Sequence, residues 1–339
     1  MGRFTMSSVL DALAAAPRRI SMEVVPPSRG GDPDGVIACV EALAPFEPAF
    51  VSVTDHPAGH AWAERDGAPV AVPIRGKPGT LGLCVAIRER TGATVVPHLV
   101  CLGSDRFKAE DQLIDLRYAG FTDVFVVRGD ERFSPFASPG TGTGPGAPGV
   151  AGYGSLSQAV DLVRIVAAIN RGDYLSDGSK GSPAGFSVGV AAYPEKHPAS
   201  PNPEADLASL REKVQAGASW IATQMVFDAG RYADFVGRAR AAGIEEPIIP
   251  GLKPLVRARS LAGVPGTFFV DVPRALVDAL TEARSPAEER LAGIRYAAAL
   301  VGRLYDAGAP CIHFFTMGKA RDAVETLEAV FGGASGAAR

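Results

Sequence analysis

Several short apolar runs in this chain end in, or are interrupted by, polar residues of the kind that do chemistry. Glu23 lies inside the first run. Thr54, Asp55 and His56 close the second, and His98 lies in the third. The fourth ends in Arg128-Gly129-Asp130 and the fifth in Tyr193-Pro194-Glu195-Lys196-His197. Thr223 and Gln224 belong to the sixth, Lys253 follows the seventh, and His313 and Thr316 mark the eighth. A carboxylate in an apolar run must pair with a cation or hold its proton at an unusually high pH. Glu23 is therefore either half of a structural ion pair or a general acid. His98 reads equally as a satisfied core histidine or as a site residue. Arg128-Gly129-Asp130 offers a cation, a turn and a carboxylate, as a ligand site or as a salt-bridged loop. Tyr193 and His197 flank a proline and could form only a rigid turn. Gln224 both donates and accepts, which suits a heterocyclic ligand or a hydrogen bond inside the fold.

Other chemistries lack their residues. The four cysteines, Cys39, Cys84, Cys101 and Cys311, form no C-x-x-C pair and sit in apolar settings, so free buried thiols are expected and a zinc site or disulfide framework is not. No spacing suggests a metal site, and no serine or cysteine shows the setting of an activated nucleophile. Hydride or proton transfer on an organic ligand fits better than hydrolysis. With 34 Lys+Arg against 37 Asp+Glu, the net charge of -3 offers no general field for nucleic acid or an anionic membrane. No apolar run reaches the roughly 18 residues of a membrane span. The start of the chain lacks a signal-peptide core, and a cytoplasmic protein is expected.

The elements that must position these residues follow from the pattern. Short runs rich in Val, Ile and Phe predict strands at 20–25, 50–54, 94–99, 123–128, 186–192, 220–227, 247–251 and 310–315. Three-to-four-residue apolar spacing predicts helices between them. One spans 105–119, with Ser104 as its N-cap and Gly120 as its stop. Others span 204–216 before Gly217 and 230–242 before Gly243. A helix stopped by glycine and followed by a buried strand is the βα unit. Eight such units predict an α/β fold, a (β/α)8 TIM barrel in a single domain with extended βα loops. A doubly wound sheet would show a Gly-rich turn after its first strand, and Val25-Pro26-Pro27 is no such turn. The expected organisation is an N-terminal segment and helix over residues 1–17, a catalytic barrel over 18–332 and a flexible tail over 333–339. Residues 64–79, 134–152 and 171–185 read as loops. The middle one is the most biased in a chain with 39 Gly and 27 Pro, and it reads as a lid, a binding loop or a disordered stretch.

At these strand ends the sequence resembles the methylenetetrahydrofolate reductases. The matching segments include Met22-Glu23-Val24-Val25-Pro26-Pro27, Val53-Thr54-Asp55-His56, Val96-Pro97-His98-Leu99, Val127-Arg128-Gly129-Asp130, Ala192-Tyr193-Pro194-Glu195-Lys196-His197-Pro198, Thr223-Gln224-Met225-Val226-Phe227-Asp228 and Ile312-His313-Phe314-Phe315-Thr316-Met317. They fall in the family's order over roughly residues 18–332. The resemblance implies a barrel that binds FAD. NAD(P)H would reduce the flavin and leave, and 5,10-methylenetetrahydrofolate would then take hydride from it to give 5-methyltetrahydrofolate.

Residue by residue, the resemblance implies that Glu23 is the general acid that helps open the folate ring. Asp130 would lie near flavin and pterin, and Gln224 would contact folate and nicotinamide. Thr54, His98, Arg128, Gly129, Asp130, Tyr153, Tyr193, His197, Asp206 and Lys213 match flavin-site positions, with Arg128, His197 and Lys213 as partners for the pyrophosphate. No metal is implied. The chain departs from some relatives at Asp55, in place of an aromatic residue, and at Ser209 and Glu212, in place of polar or basic ones. It departs again at Ser260, in place of a second glutamine. These departures keep open a flavin-free reductase that passes hydride directly from nicotinamide to folate. A catalytically silent folate-binding homologue is a third reading, against which Glu23, Asp130 and Gln224 stand together. The family commonly assembles through barrel surfaces, so a homo-oligomer is a candidate state. NADH and NADPH are not distinguished.

Overall fold

The computed structural model describes residues 8–56, 59–65, 67–74, 76–129, 156–175 and 180–332. A short helix, α1 (Val9–Ala15), precedes β1 (Arg19–Val24). The chain continues through α2 (Asp34–Leu43) to β2 (Val51–Val53). An antiparallel hairpin follows, β3 (Gly59–Arg65) with β4 (Ala68–Ile74). Regular alternation then begins with α3 (Thr80–Thr91), β5 (Val95–Val100), α4 (Arg106–Tyr118) and β6 (Asp123–Val127). It runs on through α5 (Ala159–Asn170), β7 (Ser187–Ala192), α6 (Pro203–Gln215), β8 (Trp220–Met225) and α7 (Ala229–Ala241). After β9 (Ile248–Leu252) come α8 (Ser260–Phe268), α9 (Arg274–Thr281) and the long α10 (Pro286–Asp306). The last elements are β10 (Cys311–Phe315) and α11 (Arg321–Phe331).

Eight of the strands close into a parallel barrel in the order β1-β10-β9-β8-β7-β6-β5-β2. All eight strands expected from the sequence are present. Their apolar runs are buried on both faces, as a parallel barrel under helices requires. The barrel interior is filled from its N-terminal end by Phe50, Phe125 and Trp220, each of the first two rings lying 5.2 Å from the third. Gly189 makes room for them, because a Cβ there would lie 2.3 Å from the Trp220 ring. Helix α1 closes that end. Its Val9 and Ala12 join the same apolar cluster, and the Val9 N–H donates to Asp123 Oδ1 at 3.1 Å. The four cysteines are buried and free. No helix among the described residues is long and apolar enough to cross a membrane.

The structure corrects two local expectations. Residues 64–79 are not simply a loop, since most of them belong to the β3–β4 hairpin. The missed signal is Asp66-Gly67 between two runs of β-type residues, the two-residue hairpin turn, and Gly67 has φ +76°. The cap of α4 is Asp105 rather than Ser104, because its carboxylate accepts from the Lys108 N–H. Asp130, Tyr153, the 134–152 stretch and the 333–339 tail lie outside the described residues.

Candidate active site

Two adjoining cavities open at the carboxyl ends of the strands and share Val127, Ala191 and Tyr193 as a common wall. The central one, about 270 Å³, takes Glu23 from β1, Thr54, Asp55 and His56 from the end of β2, His98 from β5 and Gln224 from β8. Gly129, just past β6, completes that side. The lateral one, about 230 Å³, lies between the ends of β6 and β7 and the helices α5 and α6. It takes Arg128, His197, Asp206 and Lys213, together with Ser209 and Glu212. The described residues that the resemblance matched to the site therefore all fall into one cavity or the other, and Tyr193 into both, whereas Glu195, Lys196, Lys253 and Thr316, also singled out near strand ends, line neither. Of the four departures, Ser260 lines neither; it begins α8.

Glu23 is not half of an ion pair. Among the described residues the one basic group within ion-pair distance is His98, whose Nε2 lies 3.7 Å from Glu23 Oε2. Burial pushes the Glu23 carboxyl up to about 8 and the His98 imidazole down to about 3. Both groups are therefore neutral at pH 7, and the contact joins a carboxylic acid to an imidazole. Among the described residues the buried His98 Nε2 has no hydrogen-bond partner. Below them, His313 is a core residue. Ser21 Oγ lies 2.8 Å from its Nδ1 and Ser52 Oγ 3.3 Å from its Nε2, and burial pushes its imidazole down to about 3.

Gln224 reaches the cavity through an irregularity. Pairing of β8 with β9 shifts between Ala222 and Met225, and the Thr223 hydroxyl accepts from the Gly251 N–H. In a regular strand consecutive side chains face opposite ways. Here Ala222, Thr223, Gln224 and Met225 all line the cavity. Gln224 Oε1 accepts from the Met225 N–H at 2.9 Å, and its Nε2 makes no hydrogen bond among the described residues. Gly129 has φ +92°, and a Cβ there would lie 2.6 Å from Val100 Cγ1, so any side chain would strain the backbone and displace Val100.

The lateral cavity owes its shape to α6. Asn202 caps the helix by accepting from the Ala205 N–H, with Pro203 in the first turn. Asp206 in that turn accepts from the His197 N–H at 3.1 Å and from the Ser200 hydroxyl at 2.8 Å. Two turns on, Lys213 Nζ donates to Ala191 O at 2.6 Å. Burial pushes its ammonium down to about 8, against the pull of Asp206. His197 Nδ1 accepts from the Ala199 N–H, which leaves Nε2 as the N–H donor of a neutral ring. Its ring stands edge-on to Tyr193, centroids 4.6 Å apart.

Some lining residues were not singled out from the sequence. Phe268 lines the central cavity from α8, a helix the pattern did not reveal because Gly263, Pro265 and Gly266 lie within it. Ser200 holds Asp206, and its only signal was its place before Pro201-Asn202-Pro203.

A family model described as Methylenetetrahydrofolate reductase matches residues 8–330. The chain belongs to the methylenetetrahydrofolate reductase family. It is 29% identical over 304 residues to a 5,10-methylenetetrahydrofolate reductase of Pectobacterium carotovorum, covering 89% of this chain and 86% of that one. It is 27% identical to methylenetetrahydrofolate reductase (NADH) 1 of Arabidopsis thaliana over 91% of this chain, which is 47% of that longer protein. Among solved structures, an uncharacterized Clostridium thermocellum protein described as binding two copies of 5-methyl-5,6,7,8-tetrahydrofolic acid has the same fold. The TM-score is 0.57 at 12% identity, over 95% of this chain and 98% of that one.

Proposed function

We propose that the chain reduces 5,10-methylenetetrahydrofolate to 5-methyltetrahydrofolate, with NAD(P)H as donor and FAD as resident cofactor, in a ping-pong cycle. The observation that carries this reading is Glu23, a largely buried carboxyl lining the central cavity with no cation within ion-pair distance among the described residues. Such a group holds its proton at neutral pH and can give it to a bound nitrogen heterocycle.

The residues present fit the cofactor. Arg128, Lys213 and the His197 Nε2–H are the donor set a pyrophosphate needs, and all three line one cavity. Thr54, Gly129 and Tyr193 line the adjoining one, as does His98, whose Nε2 has no hydrogen-bond partner among the described residues. The family resemblance adds Asp130 and Tyr153 to that set. When bound, FAD would supply two-electron chemistry, taking hydride from NAD(P)H and delivering it to the folate one-carbon unit. The chain's own tasks would be the rest. Glu23 would protonate the folate, Gln224 would orient it through Nε2, and the apolar walls from Phe268, Phe315 and Met317 would exclude water.

The visible spectrum of the purified protein tests this reading. Flavin bands that bleach with NADH or NADPH and return on adding methylenetetrahydrofolate are expected. Glu212 favours a second reading, because it adds a carboxylate to the wall of a cavity meant for an anion. That reading is direct hydride transfer from nicotinamide without flavin. A colourless protein, turning over methylenetetrahydrofolate and unresponsive to added FAD, is its signature.

A further inference from the structure

The lateral cavity is lined by two cations, Arg128 and Lys213, and two carboxylates, Asp206 and Glu212. The carboxylates are held differently. Asp206 is committed to the His197 N–H and the Ser200 hydroxyl on its own side of the cavity. Glu212 is reached by a residue that does not line the cavity. Arg164 extends from α5 and donates from one terminal nitrogen to Glu212 Oε1 at 2.6 Å, while its other lies 3.5 Å from Asp161 Oδ1. Both side chains of the pair are about half exposed. A carboxylate on the wall of an anion site opposes the anion, and a guanidinium bound to it cancels that opposition.

We propose that the Arg164–Glu212 pair sets the charge of the lateral cavity and thereby limits how tightly it holds a diphosphate-bearing ligand. Glu212 lowers the affinity, and Arg164 restores it without touching the ligand. Arg164 is thus a positioning residue acting through Glu212. The proposal rests on reading this cavity as the FAD pyrophosphate site. A plain α5–α6 clamp would behave otherwise, since losing either partner would then act in the same direction. Charge setting requires opposite signs.

The test is titration of FAD into the flavin-depleted protein, followed by flavin fluorescence, with riboflavin as a phosphate-free control. At low salt Glu212→Gln is expected to tighten FAD and Arg164→Gln to weaken it, each roughly threefold, the scale of one half-exposed charge. Both changes should shrink at about 1 M salt, where the screening length falls to roughly 3 Å. Riboflavin affinity should be unchanged in both variants. Changes of the same sign, or no change for FAD, overturn the proposal. Wild-type protein that binds FAD no more tightly than riboflavin overturns the reading of the cavity itself, and the proposal with it. Should Arg164→Gln not fold, Glu212→Gln decides alone. Tighter FAD supports charge setting; equal or weaker FAD overturns it.

Discussion

At the scale of single residues, the central cavity is governed by two buried groups that burial drives in opposite directions. Glu23 keeps its proton up to about 8, and His98 stays neutral down to about 3. The signs have consequences. The raised Glu23 value means a stability contribution fully present below 4.5 and lost as pH rises through about 8. The depressed His98 value means one present above 6.5 and lost as pH falls through about 3. If Glu23 is the acid, folate reduction should decline as pH rises through about 8 while flavin reduction by the nicotinamide does not. Glu23→Gln should keep flavin reduction and lose folate reduction by about a hundredfold or more. Stopped-flow measurement of the two half-reactions checks this, and equal loss of both would remove Glu23 from the role. The carboxylate's oddity was legible in the sequence, since it interrupts an apolar run. Its lack of a cation was not, because that depends on which strands become its neighbours.

At the scale of elements, α6 shows what spacing can convey. Asp206, Ser209 and Lys213 recur at helical intervals and fall on one face, which the structure turns toward the lateral cavity. Replacing Lys213 by methionine should weaken FAD by about tenfold, the loss of one charge-assisted hydrogen bond, and leave riboflavin binding nearly unchanged. Equilibrium titration of both ligands measures it. The bulge in β8 shows the limit of pattern reading. Thr223 and Gln224 are consecutive, and strict alternation would send them to opposite faces. A register shift against β9 brings both inward. Nothing local announces it, because the shift is a property of two strands that meet only in the closed barrel. The β3–β4 hairpin was legible through Asp66-Gly67, though the polar and proline-rich residues around it read as loop.

At the scale of the whole molecule, barrel closure decides what the interior can hold. Trp220 is fully buried, and Gly189 leaves it its space. Gly189→Ala would force a methyl into that ring and should destabilise the protein by about 2 kcal/mol. A lower urea midpoint with far-ultraviolet circular dichroism of native shape is the expected result; an unchanged midpoint would mean that the interior can yield there. By itself the sequence determined the eight βα units, their order and the polar residues at their ends, because hydrophobic periodicity and glycine stops act over a few residues. Only the tertiary structure decided that these ends form two cavities with Tyr193 between them. It also decided that Glu23 faces a neutral histidine instead of a cation, and that Arg164 crosses from α5 to Glu212. Those facts depend on contacts between residues distant in sequence, and only closing the barrel brings them together.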